Sequence, residues 1–123
     1  MILSFLVALY RHKEMRKKLK TICVIPARGG SKGLPGKNIK VFNGKPLIAW
    51  PIIAAKACKK IDEVVVTTDS NDIAEKAQLF GATVPALRPA KLASDNTTTE
   101  DTLKYALDQF EESTNQRFDL CVF

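Results

Sequence analysis

Arg28, Lys32 and Lys37 stand within ten residues of one another in ARGGSKGLPGKN, residues 27–38, which also holds four of the chain's six glycines. Ser31 and Asn38 add neutral donors, and no Asp or Glu occurs from Met15 to Ile61. Glycines let a backbone approach an anion closely and turn its N–H groups toward it, while clustered cations supply charge-assisted hydrogen bonds. The chemistry that suits this set is the holding of a polyphosphate. On composition alone a basic loop with no dedicated ligand stays open. Two familiar phosphate motifs are absent. The Walker loop needs Ser or Thr after its Gly-Lys and a glycine five positions earlier, where Asn38 and Ser31 stand. The dinucleotide fingerprint fails at its first glycine, and no acid for a ribose occurs before Asp62.

The elements around this loop read as alternating strands and helices. TICVIP at 21–26 is a β-branched run that predicts a buried strand placing the loop at its carboxyl end. Pro46 could open a helix continuing through 47–60, with Pro51 forcing a kink or a delayed start. Residues 63–68 predict a second strand followed by Asp69, which could serve chemistry at the strand end or cap the next helix. A short helix over 73–80 closes at Gly81, and 82–87 predicts a third strand pushed toward an edge by Pro85. Thr97–Thr99 should cap a helix through Glu112, with Thr98 and Asp101 at capping-box spacing and Leu103, Ala106, Leu107 and Phe110 facing the core. Residues 118–123 predict a fourth strand. The pattern implies βαβ units and a parallel sheet covered on both faces. Trp50 and Phe80 read as core residues.

Length and charge narrow the field. The chain has 123 residues and a formal net charge of +6, enough for one domain. Residues 11–20 hold six Lys/Arg against Glu14, so most of the positive charge sits in a leader, and 21–123 is nearly neutral. We expect residues 1–20 to be an apolar and basic extension, with Met15 as the true start, and 21–123 to be the domain proper. His12 lies in that extension and is not a candidate base. Cys23, Cys58 and Cys121 are widely spaced with no C-x-x-C pair, which argues against a zinc site or disulfide framework and for a cytoplasmic protein. The apolar run at 1–10 is too short for a hydrocarbon core of roughly 30 Å, so no membrane partner is expected. An RNA-binding module using the basic arm is the contrasting reading, but no aromatic-rich strand accompanies the cations, so no nucleic acid is expected.

Residues 25–38, IPARGGSKGLPGKN, resemble the signature of the cytidylyltransferases that activate sialic acids, the CMP-N-acylneuraminate synthetases. The likeness continues through GKPLIAW at 44–50, VTTD at 66–69, LRPA at 87–90 and LASD at 92–95, and spans Thr21 to Phe123. It implies a Rossmann-like, mostly parallel α/β sheet of the nucleotide-diphosphosugar transferase type. It also implies transfer of CMP from CTP to a nine-carbon 2-keto sugar acid such as N-acetylneuraminate, releasing pyrophosphate. By this resemblance Pro26, Ala27 and Arg28 lie along the nucleotide, Arg28, Ser31 and Lys37 hold phosphates, and Arg28 and Lys37 are the candidate catalytic groups that neutralise charge during transfer. Lys32 is a second basic position and Asn38 lies near nucleotide and sugar. Arg88 approaches cytidine, and Thr97 and Thr99 line the base pocket. Plain readings stand beside these: Arg88 bonding a loop carbonyl or Asp95, and the threonines only capping a helix.

Pseudaminic, legionaminic or 3-deoxy-octulosonic acid are alternative substrates, with the Ser31-Lys32 and Lys37-Asn38 pairs favouring the nine-carbon group. The family's Mg²⁺ ligands, sugar pocket and dimerisation element belong to a second half. We therefore expect this chain to be the amino-terminal piece of a homodimeric enzyme, inactive alone.

Overall fold

The computed structural model describes residues 18–30 and 33–123. The expectations for residues 1–17 of the leader, including His12 and Met15, and for Ser31 and Lys32 lie outside the described residues. The run TICVIP forms strand β1, Thr21–Pro26, buried over its first four residues. After the glycine loop comes a feature the sequence reading missed. Val41–Phe42 (β2) and Lys45–Pro46 (β3) pair antiparallel, Val41 opposite Pro46. Their turn is Asn43-Gly44 with φ of 50° and 87°, the double positive φ that a type I′ hairpin requires. Pro46 therefore ends a hairpin and does not open a helix.

Helix α1 spans Ala49–Ala57. Pro51 is its third residue, where an N–H has no intrahelical acceptor, so the helix takes the delayed start. It also ends before Lys59 and Lys60, because Cys58 N–H bonds Ala55 O and Ile61 N–H bonds Cys58 O. Trp50 is not core. It is half-buried, donates Nε1–H to Phe42 O at 2.9 Å and carries Lys45 Nζ 5.1 Å from its ring centroid, stapling the hairpin to α1.

Strand β4, Glu63–Thr67, leads to helix α2, Asn71–Leu79, which starts two residues before the expected point. Ser70 Oγ caps it by accepting Ile73 N–H, so Asp69 is not the cap. Gly81 closes it at φ 95°. The strand expected over 82–87 reduces to Thr83, bridged in parallel to Val65. Pro85 has no N–H to extend that ladder. Helix α3 spans Thr99–Thr114, and Thr98 Oγ1 accepts Asp101 N–H at 3.0 Å. Strand β5 is Leu120–Val122, shorter than expected.

The sheet is parallel, ordered β4–β1–β5. Alternation along the strands sends side chains to two cores. Cys23, Val64 and Val66 pack with Ile52 and Ala55 of α1 and Ile73 and Ala77 of α2. Ile22, Val24 and Val65 pack on the other face with Ala106 and Phe110 of α3. Phe80 joins the first core, as expected. Two aspartates fix the amino end of β1: Asp62 accepts Thr21 N–H and Asp119 accepts Lys20 N–H, both at 2.8 Å. The Thr21 bond first, then Lys18, holds the Asp62 carboxyl below its ordinary range. Among the described residues no helix is long and apolar enough to cross a membrane.

Candidate functional site

The helices that reach β4 and β5 lie on opposite faces of the sheet, so the carboxyl end of β1 opens into a crevice where such sheets bind ligands. A cavity of about 350 Å³ lies there, lined among others by Pro26, Arg28, Lys37, Arg88, Thr97 and Thr99. These are six of the residues singled out from the sequence. Ala27 is buried, its N–H bonded to Thr67 O at 3.0 Å, so it extends β1 beneath the cavity. Asn38 acts as a brace: Nδ2 donates to Arg28 O at 3.2 Å while its carbonyl accepts Ile48 N–H. Gly36, at φ 69°, turns the chain into a single 3-10 turn, Lys37–Ile39, which presents Lys37.

The loop's other support is Asp69, whose Oδ1 accepts Gly29 N–H at 2.8 Å. Sequence reasoning placed Asp69 at a strand end without this role, since no local pattern joins residues forty apart. Asp95, which the LASD motif and the plain reading of Arg88 bring forward, pairs with Arg28 through Nη1 and Oδ1. The alternative reading of Arg88 as a partner of Asp95 is met by no ion pair among the described residues. Thr97 donates to Lys91 O at 3.2 Å and lies 3.1 Å from Ser94 Oγ, so it shapes the loop before α3 and is not its cap. Thr102, missed from sequence, lines the cavity and is buried, donating to Thr98 O. It lies one helical turn beyond Thr99, and that spacing was the available signal.

Arg88 stands out. It is 4% exposed, its backbone N–H is held by Thr68 O at 2.8 Å, and its Nε is buried without a hydrogen-bond partner. Burial pulls its pKa down and Arg28 adds to this, while Asp69 and Tyr105 oppose it. A cation whose charged form is disfavoured in the fold destabilises that fold, so Arg88→Met should stabilise the protein. We expect urea unfolding to show a gain of about 1–3 kcal/mol. A loss of stability would show that Asp69 and Tyr105 outweigh the cost of burying Arg88 with its Nε unpartnered.

Magnesium, implied by the resemblance, finds no ready set here. Among the described residues no cluster of three His, Cys, Asp or Glu is placed to hold a metal. Asp95 is engaged by Arg28 and Asp69 by Gly29.

A cationic glycine loop and a buried arginine converge at the switch point of a parallel sheet, and the fold is that of an α/β protein of the Rossmann-like type. The family model described as cytidylyltransferase matches residues 22–117, and the chain belongs to that family. It is 46% identical over 94 residues to a CMP-N,N'-diacetyllegionaminic acid synthase of Legionella pneumophila, covering 76% of this chain and 40% of that one. It is 41% identical to a pseudaminic acid cytidylyltransferase of Campylobacter jejuni, covering 82% of this chain and 43% of that one. An N-acylneuraminate cytidylyltransferase of Escherichia coli is 42% identical, over 73% of this chain and 21% of that one. Among solved structures, a cytidylyltransferase from Leptospira borgpetersenii aligns with a TM-score of 0.55 at 27% identity, covering 79% of this chain and 38% of that one. The chain thus spans less than half the length of these relatives.

Proposed function

We propose that this chain forms the CTP-binding part of a cytidylyltransferase that transfers CMP to a nine-carbon 2-keto sugar acid of the sialic acid type. The observation that carries the reading is the convergence of Arg28, Lys37 and buried Arg88 on one cavity at the carboxyl end of β1. A sugar hydroxyl attacks the α-phosphate, a new P–O bond forms as the hydroxyl proton passes to water, and the bond from the α-phosphorus to the oxygen bridging it to the β-phosphate breaks as pyrophosphate leaves. Such transfer depends on positioning and charge neutralisation. Arg28 exchanges Asp95 for phosphate oxygens, and Lys37 approaches the same phosphates from its 3-10 turn. Ser31 and Lys32 complete the phosphate set. Arg88, with Thr97 and Thr99, faces the cytidine, while Pro26, Ala27 and Asn38 hold the strand end and loop in place.

The names of the relatives support the sugar class, since legionaminic, pseudaminic and neuraminic acids all occur among them. The free thiols of Cys23, Cys58 and Cys121 support a cytoplasmic setting. Titration calorimetry of this chain tests the nucleotide half of the reading. CTP should bind about tenfold or more tightly than CMP, because the cations act on the phosphates CMP lacks. Equal affinities, or no binding of CTP, would overturn it. The sugar is tested by pyrophosphate release with the three acids, using this chain extended to the length of its relatives.

A further inference from the structure

Gly29 approaches the corner between β4 and α2 closely. A Cβ built on it would lie 3.2 Å from Ser70 Cβ and 3.7 Å from Asp69 Oδ1. That corner is well fixed. Thr68 is 1% exposed, its Oγ1 accepts Ser70 N–H, its carbonyl accepts Arg88 N–H, and Ser70 caps α2. Asp69 sits between these anchors, with one carboxylate oxygen on the loop's backbone N–H at 2.8 Å. The cap role open to it in sequence is taken by Ser70, so the carboxylate serves the loop. Its charge also opposes the cost of burying Arg88.

We infer that Asp69 is a positioning residue for the nucleotide site: by holding Gly29 N–H it sets where the loop backbone and Arg28 stand relative to Arg88. The inference rests on the reading that the cavity binds CTP. A backbone N–H held at a charged acceptor loses freedom that an unheld glycine loop would have to give up on binding the phosphates. Asp69 touches no reacting atom and acts through Gly29.

The test compares Asp69→Asn and Asp69→Ala by CTP titration, thermal unfolding and hydrogen exchange of the Gly29 amide. Asn retains an acceptor oxygen, so Gly29 protection should persist and CTP affinity should stay within about threefold. Ala removes the acceptor, so Gly29 protection should vanish and CTP affinity fall about tenfold, while loss of the charge that opposes the burial of Arg88 lowers the unfolding midpoint in both variants. Rescue by Asn and the Gly29 amide are readouts that a merely structural role would not move. Wild-type affinity in Asp69→Ala, or equal losses in both variants, overturns the inference. Failure of the unaltered chain to bind CTP overturns the functional reading itself, and the inference with it.

Discussion

Lys37→Ala is expected to weaken CTP binding by about 10- to 100-fold while leaving the unfolding midpoint where it was, since a hydrogen bond to a charged group contributes about 1.5–3 kcal/mol. The side chain is exposed, lines the cavity, and has no carboxylate partner among the described residues. Its 3-10 turn is held by backbone bonds, Lys37 N–H to Leu34 O and Lys40 N–H to Lys37 O, which the substitution leaves intact. Lys37→Arg should recover part of the affinity, because the charge returns on a planar fork of different reach. Arg28→Ala should cost less than Lys37→Ala, since Arg28 must first leave Asp95. Titration at two salt concentrations separates these effects from general attraction, and the wild-type slope should exceed that of Lys37→Ala. A Lys37→Ala variant within twofold of wild type would remove Lys37 from the phosphate site.

Phe110→Ala should cost about 3–5 kcal/mol of stability, the range for a large buried aromatic truncated in a core. Domains of this size hold about 5–15 kcal/mol in total, so the variant should be partly unfolded at modest urea. Phe110 is 3% exposed and joins Ile22, Val24, Val65 and Ala106 in the core beneath α3. Its ring also meets Phe118 at a centroid distance of 5.8 Å. Because α3 carries Thr99 and Thr102 to the cavity, loosening it should lower CTP affinity as well. Leu103→Ala, only half-buried on the same face, should cost visibly less. Urea unfolding decides this, and a loss under about 1 kcal/mol for Phe110→Ala would mean that the site collapses around the cavity.

How much was legible varies element by element, for local reasons. The β-branched run at 21–26 is strand in sequence and in structure with the same limits, because its burial on both faces needs nothing but apolar residues. The hairpin at 41–46 carried a strong local signal in Asn43-Gly44, yet Pro46 competed as a helix opener. The two readings differ only in whether the turn's positive φ is taken up. The segment after Gly81 has strand composition but lies at the sheet edge, where one bridge through Thr83 is all that Pro85 leaves room for. Trp50 reads as core by type, and only the hairpin's presence turns it into a staple.

The site divides in the same way. Arg28 and Lys37 declare themselves because the glycine loop that carries them is contiguous and free of acids. Arg88 and the threonines entered only through resemblance, since nothing within ten residues of Arg88 marks a polyphosphate site.

The sequence by itself determined the β1 strand, the cationic loop beyond it, the parallel α/β class and the cytidylyltransferase family, all properties written in short contiguous runs. Only the tertiary structure decided that Asp69 holds Gly29, that Asp95 pairs with Arg28, and that Arg88 is buried with an unpartnered Nε. Those pairings join residues about forty or more positions apart, and hydrogen bonds of fixed length are chosen by how strands and helices pack.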